Sequence, residues 1–174
     1  MSKADIKHLD EMIEIVAHSI PREKETGDLF RNASEDAKCT MAKVLFKSMS
    51  AQEEQHEAKL RATLEILQQE LDEAKGKPLG ADIEAVCAST DDDGLTDPEK
   101  VKDLEKCMEI VIRMIPKEQK ASQLYQKAAK KSKRDLTSSL FEWLAQQESQ
   151  HESKLRGILN LLRMELQDVR LRRK

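Results

Sequence analysis

Aromatic side chains make up only 3% of this 174-residue chain, which has five glycines and four prolines. Sheets draw on aromatic and β-branched residues, and their turns on glycine and proline, so this poverty disfavours a sheet-based fold. Cysteine is also scarce. Cys39, Cys87 and Cys107 are an odd number with no Cys-x-x-Cys spacing. That argues against a disulfide framework and against a thiolate zinc or iron site, and fits reduced, inert thiols. No apolar run approaches the ~20 residues of a membrane span. The N-terminus, MSKADIKHLDE, is charged and lacks the apolar core of a secretory signal, so the expected location is cytoplasmic and off the membrane. Net charge is −3, which gives no global field for nucleic acid. The basic end, VRLRRK, reads as a solvated helix terminus favoured by the helix dipole.

What the chain has instead is charge, 36% Asp, Glu, Lys and Arg, in patterns of helical period. It also repeats itself. An offset of 95 aligns residues 9–71 with 104–166 without a gap, and 24 of those 63 positions are identical. The expected organisation is a single domain over 1–174: a first repeat over 1–74, a linker over 75–97 and a second repeat over 98–174. Each repeat reads as two helices broken near NASEDAKC and AKKSKRDL, giving helices over 4–34, 37–74, 98–130 and 134–170. Ser2 and Asp5 form a capping pair for the first. Asp97 and Pro98 suit the cap and first position of the third. The linker is polar and carries the acidic run Asp91–Asp93, which lacks the spacing of a calcium loop. At up to ~3.3 Å per residue it is long enough to run the length of a bundle, so that the third helix lies parallel to the second.

The best-kept stretch of the repeat is Gln-Glu-x-Gln-His-Glu-x-Lys-Leu-Arg, at 52–61 and again at 147–156. On a helix Glu53 and His56 share a face, as do Glu148 and His151. Both pairs fall on the apolar stripe; in the second helix that stripe is Leu45, Met49, His56, Leu60 and Leu67. The partner helices add Glu23, on the face of Val16, Ile20, Gly27 and Phe30, and Glu118, on the face of Val111, Ile115, Ser122 and Tyr125. A buried carboxylate is costly unless paired or bound to metal. Counting residues from a turn near 36 puts Glu23 about 13 before it and Glu53 about 17 after, at similar height. Four carboxylates and two imidazoles then converge, a charge balanced by two divalent cations. Oxygen and imidazole ligands suit iron, with manganese as the alternative.

Two helices each giving Glu and two giving Glu-x-x-His is the ligand pattern of the ferritin-like di-iron and di-manganese proteins. On Glu23…Phe30, Glu53-x-x-His56, Glu118…Tyr125 and Glu148-x-x-His151 the chain resembles the rubrerythrin branch of that superfamily, over about 130 residues. The resemblance implies an all-α, ferritin-like four-helix bundle of two duplicated αα-hairpins joined by a long crossover. It implies metal ligands Glu23, Glu53, His56, Glu118, Glu148 and His151 holding two iron ions. Rubrerythrins also carry a rubredoxin module with two Cys-x-x-Cys motifs, and this chain has none. They carry a further glutamate ligand one turn beyond the first ligand of helix three; that position is Ala121 here, with Thr26 as its counterpart. Six ligands bring the pattern closer to bacterioferritin-type sites.

In relatives of this kind a polar residue before the ligand glutamate bonds the opposite histidine, which pairs Gln52 with His151 and Gln147 with His56. Tyr125, the sole tyrosine, reads as a hydrogen-bonding neighbour of the site. Glu57 and Glu152 read as i,i+4 partners of Arg61 and Arg156 rather than ligands. His8 and His18 are expected to be exposed. Pro21 and Pro116 lie two residues before a ligand glutamate, either as inherited irregularities or as kinks that aim the ligands. The function implied is a di-iron oxidoreductase that reduces hydrogen peroxide or dioxygen with electrons from an external donor. The small residues Thr26, Gly27, Ala121 and Ser122 leave room for such a substrate. The alternatives are ferroxidase activity in iron handling, a bundle in which metal is purely structural, and a di-manganese catalase. A homodimer, including one that exchanges hairpins, is compatible with the same ligand set.

Overall fold

A computed structural model of the chain describes residues 2–75 and 97–172, so the acidic run Asp91–Asp93 and Cys87 lie outside the described residues. Four helices account for nearly all of it: α1 (Lys3–Asp36), α2 (Thr40–Lys75), α3 (Asp97–Lys131) and α4 (Asp135–Leu171). The all-α expectation holds, with boundaries within three residues of those read from the pattern. Ser2 and Asp5 do form a capping box: Ser2 Oγ accepts from the Asp5 N–H at 3.2 Å and the Asp5 carboxylate accepts from the Ser2 N–H at 2.9 Å. Pro21 and Pro116 sit inside α1 and α3 without ending them. Both face solvent, as do Ala17 and Ile112 four residues earlier, so the carbonyl each proline leaves unbonded is on the wet side of its helix.

α1 packs on α2 and α3 on α4 as antiparallel hairpins, and the hairpins meet through α1 with α3 and α2 with α4. Asp103, near the start of α3, lies against the turn that opens α2, whereas Lys133, after α3, lies against His8 of α1. α3 is therefore antiparallel to α1 and parallel to α2. Lys75 ends α2 beside Asp10, at the opposite end from the start of α3. The end of α2 and the start of α3 thus lie at opposite ends of the bundle, as in a ferritin-like fold.

The apolar core is divided in two. One cluster fills the end near the α1–α2 turn, around Phe30, Phe46, Met49, Leu104, Val111 and Leu155; the other fills the far end, around Leu9, Val16, Leu60, Leu67, Tyr125 and Phe141. Each has a stacked ring pair related by the 95-residue offset, Phe30 on Phe46 at 6.2 Å and Tyr125 on Phe141 at 6.1 Å. Of the stripe on α2, Leu45 is only half-buried, while its neighbour Phe46 is fully inside. Between the two clusters lies a layer of buried charged side chains. Cys107 packs in the first cluster, where burial and the nearby Asp103 carboxylate push its thiol up to about 12. That matches the expectation of an inert thiol.

The offset also relates the contacts that lock the hairpins together. The buried Asp103 carboxylate accepts from the Lys38 and Cys39 N–H groups, at 2.9 and 2.6 Å. Its counterpart His8 accepts through Nε2 from the Lys133 N–H at 3.0 Å. This interaction makes His8 half-buried rather than exposed; His18 is exposed as expected. Asp103→Ala leaves two turn amides without a charged acceptor and should lower stability by about 2–4 kcal/mol in urea unfolding. His8→Asp installs the stronger cap of the first copy in the second and should raise stability by about 0.5–1 kcal/mol. A His8→Asp protein less stable than its parent would refute the equivalence of the two locks.

Candidate metal centre

The turn that joins α1 to α2 is centred on residue 38 and that joining α3 to α4 on residue 133. Glu23 and Glu53 are each 15 residues from the first centre, and Glu118 and Glu148 each 15 from the second. The hairpins therefore hold their glutamates at equal height, closer than a turn at residue 36 had suggested. Helical spacing then brings each histidine one turn along from its glutamate and onto the same inward face.

All six expected residues are buried at 3% exposure or less. Glu53, His56, Glu148 and His151 form the tightest group, with one potential ligand atom from each lying within 4.8 Å of the others. The histidine rings stack at 5.3 Å with an interplanar angle of 16°. His56 Nδ1 is 3.0 Å from Glu23, 3.2 Å from Glu53 and 3.0 Å from Glu148. His151 Nδ1 is 2.8 Å from Glu53, 3.6 Å from Glu118 and 3.9 Å from Glu148. Glu53 and Glu148 each touch both histidines, so they occupy the shared, central positions. Glu23 belongs to the His56 side and Glu118 to the His151 side.

Several of these atoms are close without being bonded. Glu53 Oε1, both oxygens of Glu118, Glu148 Oε1 and His151 Nδ1 are buried with no hydrogen-bond partner. Native proteins rarely strand buried polar atoms, and five gathered in one cluster is the pattern of a set of potential ligands. Oxygen and imidazole donors in that arrangement fit divalent iron or manganese. The protein thus carries a buried carboxylate–histidine cluster suited to metal.

Without cations, the cluster's charge is balanced by protons. Burial, with the neighbouring Glu53, Glu118 and Glu23 carboxyls, pushes Glu148 up to about 10, and burial likewise raises Glu23. Burial opposes ionisation of Glu53 as well, but the close His151 imidazole and the hydrogen bond from His56 outweigh it and hold Glu53 down to about 2. Burial disfavours charge on His56, yet the close Glu148 carboxyl and the bonds to Glu23 and Glu53 win and raise it to about 11. His151 is raised for the same reason, through Glu118 and Glu53.

The surroundings of the two halves differ. Tyr125, buried and raised well above its ordinary range by burial and by Glu23, donates its hydroxyl to Glu23 Oε1. Its counterpart Phe30 has no hydroxyl, and Glu118 is left with both oxygens unpartnered. Gln52 Oε1 accepts from His151 Nε2 at 3.2 Å and from Lys154 Nζ at 2.7 Å, while its amide donates to Ser48. That fixes the proton of His151 on Nε2 and turns Nδ1 inward. The matching bond expected from Gln147 to His56 is not present. Trp143 stands where the first copy has Ser48, packs edge-on against His56 at 5.2 Å, and carries Lys59 Nζ 3.3 Å over its ring. The indole fills the space and removes the hydroxyl on which the glutamine would be held. Trp143 was not among the residues singled out from the motif; the signal was a lone aromatic replacing serine within the repeat. Gln52→Ala should weaken metal binding about 10–100-fold, whereas Gln147→Ala should leave it unchanged, as measured by competition with a chelator. Equal effects of the two would show that the asymmetry does not reach the metal.

Gly27 has a definite role: a Cβ there would stand 3.2 Å from Glu53 Cβ, so glycine lets α2 come close enough to deliver that carboxylate. Its counterpart Ser122 uses its hydroxyl instead, donating to the Ala145 carbonyl at 2.9 Å. Glu57 and Glu152 pair with Arg61 and Arg156 as expected, at 2.6 and 2.8 Å, and Glu152 also accepts from Gln119. No helix among the described residues is long and apolar enough to cross a membrane.

A family model described as Rubrerythrin matches residues 14–159 of the chain, and again residues 109–174. No curated protein and no solved structure matches it.

Proposed function

The chain belongs to the rubrerythrin family, and from that premise we propose that it is a di-iron oxidoreductase that reduces hydrogen peroxide or dioxygen to water. The observation that carries this reading is the cluster of four glutamates and two histidines, buried mid-bundle, with five polar atoms left without partners. Glu23, Glu53, His56, Glu118, Glu148 and His151 would hold two iron ions. When bound, such a pair supplies two electrons to an O–O bond and polarises it.

The chain's own residues do the rest. Burial keeps bulk water from the cluster and strengthens every charge interaction in it. Gln52 orients His151, and Tyr125 holds Glu23 by one oxygen, leaving the other free toward His56. Glu118, with no such tether, is the carboxylate freest to change its position. Reduction of one hydrogen peroxide to two waters consumes two electrons and two protons, that of one dioxygen consumes four of each, and the electrons come from an external donor.

Stopped-flow oxidation of the ferrous protein tests this reading. Hydrogen peroxide should oxidise it much faster than dioxygen, and turnover should stop after one cycle unless reductant is supplied. If the protein instead consumes tens of Fe(II) per chain in air without reductant, it handles iron as substrate, and ferroxidase activity replaces the peroxidase reading.

A further inference from the structure

Resting on the di-iron reading, we infer that the small oxidant reaches the cluster through the α1–α3 seam, by a port whose walls are Thr26 and Ala121. A cavity of about 140 Å³ opens there. A water molecule occupies about 30 Å³ in the liquid, so the space holds about four waters and admits a molecule of two or three heavy atoms. Its buried lining is Glu23, Glu118 and Glu148, and Glu118 and Glu148 carry oxygens without hydrogen-bond partners. The side chains at the neck, Thr26 and Ala121, are small and half-buried.

The cavity lies on the symmetry element of the duplication. Thr26 and Ala121 are offset by 95 residues, and so are Glu23 and Glu118. Glu148 also lines it, without its counterpart Glu53, so the space touches Glu23 of one half and Glu118 and Glu148 of the other. A molecule entering it meets both halves at once, which an O–O unit needs if two electrons are to reach it together.

The rim has a sign. Among the described lining residues the exposed ones carry three basic groups, Arg22, Lys117 and Lys120, against one acidic group, Glu25, and Lys117 reaches across the seam to Glu25 at 3.1 Å. Both members of that pair are substantially exposed, so it contributes little to stability and is easily parted. A cationic mouth attracts small anions and leaves neutral peroxide unaffected. Azide, a triatomic anion, is therefore a suitable probe beside peroxide.

The test uses iron-loaded protein and two wall variants, Ala121→Leu and Thr26→Leu, with Ala17→Leu on the exposed face of α1 as control. Metal content and the fluorescence of Trp143, the sole tryptophan, report whether the cluster remains intact. With both unchanged, each wall variant should bind azide at least tenfold more slowly by absorbance stopped-flow, and peroxide oxidation should slow in parallel. Lys117→Glu with Lys120→Glu should slow azide but not peroxide, and the azide rate of the parent should fall with ionic strength. Parent-like azide rates in both wall variants, with metal retained, would overturn the port while leaving the di-iron reading intact. A parent protein that binds no iron would overturn the di-iron reading itself.

Discussion

Replacing Glu53 and Glu148 together with alanine should take bound iron from about two per chain to almost none. Among the described residues these two carboxylates alone face both histidines, so their loss removes the shared positions on both sides at once. Trp143, 5.2 Å from His56, supplies a second readout. Its emission should be quenched when Fe(II) or Co(II) is added to the parent protein and should not respond in the double variant. Glu57→Ala and Glu152→Ala should keep their metal, because those side chains are engaged with Arg61 and Arg156 on the surface. Elemental analysis finding stoichiometric iron in the double variant, or a large loss in either surface variant, would move the ligand assignment elsewhere.

Metal should also stabilise the fold strongly, and by more as pH rises. Free metal at a thousandfold excess over Kd adds about 4 kcal/mol per site, so two sites raise Tm by about 15–30 °C in a chain of this size. The pH dependence of the metal-free protein follows from its protons. Glu148 is raised from 4.5 to about 10 and His56 from 6.5 to about 11, so between pH 5 and 10 the folded state binds protons that the unfolded chain has released. Stability conferred by a raised group is lost as pH climbs through its folded value, so the metal-free Tm should fall from pH 6 to pH 9. Glu53, held down to about 2, acts in the opposite sense only in acid, where its contribution is lost as pH drops below 4.5. Metal displaces these protons and binds more tightly at higher pH. The gap between loaded and metal-free Tm should therefore widen from pH 6 to pH 9. A metal-free Tm that rises over that interval would contradict the proton-filled cluster.

The six inward glutamates and histidines and the architecture were legible in the chain because both rest on periodicity. A helix places residues i, i+3 and i+4 on one face, so an apolar stripe interrupted by Glu-x-x-His reports its own direction. The duplication then supplied the second half of the cluster and made coincidence an unlikely account of the first. Gln52 was legible for the same reason, as part of the repeated motif.

What escaped that reading depends on contacts between helices. Gln52 and Gln147 are identical in the motif, yet only Gln52 bonds a histidine, because Ser48 holds it while the bulk of Trp143 occupies the matching place. Phe30 and Tyr125 differ by one hydroxyl, and which glutamate that hydroxyl reaches is a matter of how two hairpins pack. His8 looked like a surface residue until the end of α3 was seen to place the Lys133 amide against it. The sequence by itself determined that the protein is a duplicated helical hairpin carrying four inward glutamates and two inward histidines, since local spacing suffices for that. The tertiary structure decided that the two halves of the cluster are unequal and that a cavity reaches them along the α1–α3 seam. Those properties arise where residues about a hundred positions apart meet, and no local periodicity encodes the fit between them.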